Sequence, residues 1–90
     1  MIVSNDGANT SAARLGHGVV TVVPITSNVA KVYPFQVFLR GHECGLDVDS
    51  KAQAEQVRAI AMERVGPRLG RVPPAVMTEL DAALRLHLSL

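Results

Sequence analysis

The sequence predicts a small, mainly β domain of the α+β class, with short strands in its first half and a helix closing the chain. Three observations carry this. Eight of thirteen valines fall in the first 45 residues, whereas seven of eleven alanines and seven of nine leucines come later, so strand formers lead and helix formers follow. Apolar residues make up 48% of the chain and charged residues 19%, which favours a packed core over disorder. The last stretch, from Pro73 onward, carries an apolar stripe at helical spacing. At 90 residues and 9.6 kDa the chain has room for a single domain, 1–90, with one largely aliphatic core, since it holds no Trp, one Tyr and two Phe.

Ile2-Val3 is a strand stub that runs at once into Ser4-Asn5-Asp6-Gly7, four turn formers in a row. Gly18 to Ile25 is β-branched nearly throughout, as in strands buried on both faces, and Pro24 near its end marks an edge or an exit. Thr26 to Val32 is a polar connection. Tyr33-Pro34 leads into a strand in which Phe35, Val37 and Leu39 share one face by the period of two. Gly41 to Asp49, with two glycines and three acids, reads as a loop. Ser50 to Val65 supports two readings: alanine, glutamine and arginine favour a helix by propensity, while Lys51-Gln53-Glu55 against Ala52-Ala54-Gln56 alternates as a strand does. Gly66-Pro67 ends either one, and Arg68 to Val72 is short enough for a strand. Pro73-Pro74 then opens the final helix, because the first helical turn has no use for the missing N–H. Its stripe of Val76, Met77, Leu80, Ala83, Leu84 and Leu88 reads as a packing face against a sheet or, less simply, a dimer seam, with Thr78, Asp81, Ala82 and Arg85 opposite.

Charge and motif content exclude several classes. Nine Lys+Arg against eight Asp+Glu give a net charge of +1 and a pI near 8.0, short of the basic excess of a generic nucleic-acid binder. A charged groove therefore requires local segregation or a partner subunit. The glycines are scattered singly, so no phosphate-cradling loop supports a nucleotide cofactor. His17, His42 and His87 are isolated and read as structural or solvent-exposed, the single Cys44 as a reduced thiol of a cytoplasmic protein, and Asp47 with Asp49 as a solvated turn. No metal and no cofactor are expected. The uncharged run from Gly16 to Ala30 is too short and too polar to span a bilayer, and the N-terminus lacks the pattern of a secretory signal, so no membrane association is expected. Arginine outnumbers lysine seven to two, with Arg58, Arg64, Arg68 and Arg71 close together, a bias that suits bidentate phosphate contacts or reflects codon composition.

Val23-Pro24-Ile25-Thr26-Ser27-Asn28, followed by Tyr33-Pro34-Phe35-Gln36-Val37, resembles the MazF/PemK family of toxin endoribonucleases. The resemblance begins at Val3-Ser4-Asn5-Asp6, continues through Gly45-Leu46 and Ala54-Glu55-Gln56-Val57-Arg58-Ala59-Ile60, and ends in the leucine-rich helix, so it runs collinearly over essentially the whole chain. It implies an SH3-like or CcdB-like small barrel with a C-terminal helix, assembled as a homodimer, and it implies a strand from Ala52 to Ile60 where propensity favours helix. It further implies sequence-specific cleavage of single-stranded RNA without metal, the ribose 2′-OH attacking the adjacent phosphate. Carried over position by position, Thr26 is the active-site threonine that donates to the scissile phosphate. Glu55 is a proton relay, Gln53 a contact to base or phosphate, Arg58 a basic RNA-binding position, and Ser27 and Asn28 flank them on the RNA side. The partners implied are single-stranded RNA and a MazE-like antitoxin, with DNA binding alongside that antitoxin.

One departure separates the chain from the family pattern. Family members begin earlier, with an Arg-Gly-(Glu/Asp)-(Ile/Val)-Trp strand, a loop and an Arg-Pro step that carries a catalytic arginine, whereas Met1 falls where the second strand is already under way. Three readings follow: an endoribonuclease whose recorded start is late, an inactive remnant that binds antitoxin, or a CcdB-like toxin with a protein target. Under the first, the 90 residues alone are expected to be nearly inactive and to cleave once the arginine-bearing segment is restored. Apolar surface on the helix and the unpaired N-terminal strand lead to a homodimer or larger species.

Overall fold

The computed structural model of the chain describes residues 1–3 and 18–90; the turn expected at Ser4–Gly7, the remainder of the Val3-Ser4-Asn5-Asp6 match and His17 lie outside them. A valine run becomes a strand where alternate residues find something to bury against, and the first such place is β1 (Val19–Val22), which pairs antiparallel with β5 (Arg58–Ala61), Val20 standing opposite Ile60. Val20 is buried while Val19 is 64% exposed, so this strand has one wet face and not the two buried faces its composition suggests. Along the free edge of β1 runs the expected N-terminal stub: Val3 N–H donates to the Thr21 carbonyl at 2.8 Å and Val23 N–H to the Met1 carbonyl at 2.7 Å.

Gly18 to Ile25 is not one strand. At Val23-Pro24 the chain leaves the first sheet, as a residue without an N–H must where a ladder donor would be needed, and β2 (Ile25–Thr26) enters a second sheet of order β2-β4-β3. Pro24 serves this sheet as an acceptor, its carbonyl taking Gln53 N–H at 2.9 Å. β3 (Gln36–Leu39) and β4 (Ser50–Gln53) complete it in antiparallel register, Gln36 with Gln53, Val37 with Ala52, Phe38 with Lys51 and Leu39 with Ser50.

The segment from Ser50 to Val65 is neither the helix of propensity nor the single strand of the family resemblance. It is β4, a 3₁₀ turn at Ala54–Gln56, β5, and a second 3₁₀ turn at Met62–Arg64. The first turn lets one stretch of chain serve both sheets, and the buried Ala54, small enough for the core, marks the corner. Within the region expected to be loop, Gly41–Cys44 forms a one-turn helix, α1. Gly45 ends it at φ +75, a left-handed conformation that suits a residue without Cβ, and the Asp49 carboxylate accepts the Gly41 N–H at 2.9 Å. Both Asp47 and Asp49 are exposed, as a solvated turn would have them, and Asp49 in addition holds the first N–H of α1. Arg68 to Val72 is irregular and not the short strand expected, and it packs where Gly70 crosses Gly45: a Cβ on Gly70 would collide with the Cys44 carbonyl oxygen.

α2 (Pro74–Leu88) begins at the expected prolines and lies over β3 and the Ala54–Gln56 turn. Leu80 and Ala83 join Val23, Val37, Leu39, Cys44, Ala52 and Ala54 in the core, with Val76, Met77 and Leu84 packed at its margin. Leu88, assigned to the packing stripe, is instead half exposed, at the last residue of the helix. No described helix is long and apolar enough to cross a membrane.

Candidate active site

The register of β2-β4-β3 sorts its side chains into two layers. Successive residues point to opposite faces, so Val37, Leu39, Ser50 and Ala52 share the core side while Thr26, Gln36, Phe38, Lys51 and Gln53 share the outer side. Thr26 belongs to β2 itself and not to the polar connection that follows, and it stands directly opposite Lys51. Two residues implicated by resemblance, Thr26 and Gln53, therefore lie on one face. Glu55 joins them from the 3₁₀ turn, because Gln36 on the same face donates its amide N–H₂ to both Glu55 carboxylate oxygens at 3.0 and 3.1 Å.

Over this face folds the segment from Ser27 to Phe35. Asn28 N–H donates to Thr26 Oγ1 at 3.2 Å and Ala30 N–H to Asn28 Oδ1 at 3.4 Å, two local turns that give the segment its start. A threonine that accepts at Oγ1 keeps its own proton to donate to a phosphate oxygen. Lys51 Nζ donates to the Lys31 carbonyl at 2.6 Å, and Tyr33 N–H donates to Gln36 Oε1 at 3.1 Å. Tyr33 stacks on Phe35 with ring centroids 5.3 Å apart, and Lys31 Nζ lies 4.7 Å from the Tyr33 centroid.

Gln36 thus has both ends of its amide engaged, one on the loop backbone and one on Glu55, which fixes the carboxylate against the sheet. Tyr33 and Gln36 lie in the family-like stretch and Lys51 in the alternating one, but none of these, nor Lys31, carried a site role in the sequence. The alternation of Gln36 with Val37 and of Lys51 with Ala52 was the available signal, since in a half-buried strand the polar partner of each core residue faces outward.

Not every expected residue converges. Arg58 is exposed in β5, opposite Val22 in the other sheet. Ser27 and Asn28 are exposed at the rim, adjoining Thr26. Arg68 and Arg71 border a separate cleft of about 840 Å³, whose apolar wall includes Ile25, Leu39, Leu46 and Met77. Among the described residues no three His, Cys, Asp or Glu gather closely enough to hold a metal ion.

Comparison with known proteins places this architecture. The family described as the PemK-like, MazF-like toxin of type II toxin–antitoxin systems matches residues 1–88. Endoribonuclease MazF9 of Mycobacterium tuberculosis is 61% identical over 90 residues, the match covering all of this chain and 76% of the relative. Among solved structures, M. tuberculosis toxin MazF-mt6 superposes with a TM-score of 0.85 at 19% identity, covering 100% of this chain and 84% of that one, a likeness of fold. An endoribonuclease from a mycobacterial species, solved with its cognate antitoxin, gives a TM-score of 0.77 at 26% identity over 100% of this chain and 79% of that one.

Proposed function

Because the chain belongs to the PemK-like, MazF-like toxin family, we propose that it is the toxin of a type II toxin–antitoxin system and cleaves single-stranded RNA, without metal, by attack of a ribose 2′-OH on the adjacent phosphate. The 2′-oxygen forms a bond to phosphorus, the bond from phosphorus to the 5′-oxygen breaks, and the products are a 2′,3′-cyclic phosphate and a 5′-OH. Such a route needs an acceptor for the 2′-OH proton, a donor that protonates the leaving 5′-oxygen, and donors for the negative charge that builds on the phosphate oxygens. The observation that carries the reading is the shared outer face of β2-β4-β3, on which Thr26 offers a hydroxyl donor and Glu55 a carboxylate held by Gln36. Gln53 extends this face, Ser27 and Asn28 its rim, and these three contact the RNA strand. Arg58, on the neighbouring sheet, adds positive charge beyond the face.

The partners follow from the same reading. A MazE-like antitoxin with an acidic tail suits the arginines between Arg58 and Arg71, of which Arg68 and Arg71 border the cleft that also includes Ile25, Leu39 and Met77. A homodimer covers the apolar surface that α2 and β3 leave open, where Leu86 is 57% exposed and Phe38 39%. The test is cleavage of single-stranded RNA in EDTA by the chain carrying, before Met1, the arginine-bearing segment of the family. Thr26→Ala is expected to lower its rate roughly 10–10³-fold with the fold intact, the loss of one donor to a developing negative charge. An unchanged rate would leave Thr26 a strand residue only.

A further inference from the structure

Lys51 is a cation where a strand residue covered by a loop would ordinarily be apolar. It sits in the middle of β4 and is only 8% exposed, yet among the described residues no carboxylate forms an ion pair with it. A covered ammonium is tolerated when its N–H groups are bonded and its charge meets a favourable field. Here Nζ donates to the Lys31 backbone carbonyl at 2.6 Å and lies 5.9 Å from the Tyr33 ring centroid, on whose π-system Lys31 Nζ also rests.

The acceptor's place gives the bond its meaning. Lys31 lies midway along the segment that leaves β2 after Thr26 and rejoins the sheet at Gln36. That segment is tied at its start by Asn28 N–H on Thr26 Oγ1 and at its end by Tyr33 N–H on Gln36 Oε1. Lys51 supplies the tie at its middle. Lys51 also stands directly across from Thr26, so the same strand position that faces the hydroxyl holds down the loop beside it.

We propose that Lys51 is a positioning residue for RNA: its ammonium pins residues 27–33 over the outer face, so that Ser27 and Asn28 are presented to the strand in one shape. This rests on the reading of that face as the RNA site. A hydrophobic side chain of similar length would fill the space but leave the Lys31 carbonyl without its donor, and a preorganised loop binds more tightly than one that must be ordered on binding.

The experiment uses the 90-residue chain and a fluorescein-labelled, fully 2′-O-methylated single-stranded RNA of mixed sequence, which cannot be cut. Lys51→Met is expected to weaken binding on the order of tenfold, the effect of losing one charge-assisted hydrogen bond, and to speed amide exchange at residues 27–33 by a similar factor while the α2 amides keep their protection. Lys51→Arg, which keeps charge and donor, is expected to restore both. Should Lys51→Met fail to fold by circular dichroism, Lys51→Gln takes its place. Loop exchange and affinity both unchanged in the variant would overturn the proposal. Absence of RNA binding by the unsubstituted chain would overturn the reading of the face and with it the role toward RNA, and the exchange data would then show separately whether Lys51 holds the loop.

Discussion

Thr26 and Glu55 depend on neighbours for what they offer. The hydroxyl is oriented because Asn28 N–H occupies its oxygen, and the carboxylate because Gln36 holds both of its oxygens. If Glu55 is the proton acceptor, Gln36→Leu should lower the rate with less effect on RNA binding, because the carboxylate remains but is no longer held in place; comparing kcat with KM on a short RNA checks it. Cys44 behaves in the opposite way. Buried and next to Glu43, its thiol is pushed up from its ordinary pKa, burial contributing most. It should therefore react slowly with a thiol reagent in the native protein and quickly in denaturant. Since the folded state holds this proton more tightly than the unfolded chain, the associated stability is complete at neutral pH and is lost as pH rises past the ordinary thiol range. A Cys44→Ala variant should lack that part of the alkaline fall in thermal stability.

At the scale of elements, the two glycines at positions 45 and 70 set how the irregular segment from Val65 to Val72 lies on the molecule. Gly70→Ala drives a Cβ into the Cys44 carbonyl and toward Gly45 Cα, where only backbone is available to yield. It should destabilise the fold by about 1–3 kcal/mol, measured by urea unfolding, whereas Gly66→Ala, with nothing near its Cβ, should cost little. Most of the elements were legible in the sequence. The N-terminal stub, the exit at Pro24, the strand at Val37 and Leu39 and the helix after Pro73 follow from local signals that tertiary packing reinforces. The segment from Ser50 to Ala61 was not legible, because its alanines satisfy helix propensity, strand alternation and a tight turn equally well, and only pairing with β2, β3 and β1 decides among them. The site was half legible. Resemblance pointed to Thr26, Gln53 and Glu55, but the hydrogen bonds of Gln36 and Lys51 join residues about nineteen and twenty apart in sequence, and no local pattern encodes such contacts.

For the whole molecule, the near balance of charge conceals an uneven distribution. Lys31 and Lys51 gather about the Tyr33 ring on the outer face, and Arg68 and Arg71 line the separate cleft. An antitoxin contact led by those arginines should weaken as salt rises, because exposed charge pairs are screened. Titrating a cognate antitoxin peptide at several ionic strengths measures this, and a salt-independent affinity would count against an arginine-led contact. The exposed Phe38, Leu86 and Leu88 lead to the expectation of self-association, for which light scattering at micromolar concentration is the check.

In the proposed reaction the 2′-OH of the substrate is the nucleophile and Thr26 assists at the phosphate. One measurement tests it most directly: cleavage in EDTA, by the arginine-extended chain, of an RNA oligonucleotide and of the same oligonucleotide with a single 2′-deoxy substitution on the 5′ side of the cut. The RNA should be cut to a 2′,3′-cyclic phosphate, and the deoxy substitution should abolish cutting at that bond because the attacking oxygen is gone. Cutting of the deoxy-substituted strand at the same bond, or a strict requirement for a divalent metal, would contradict it.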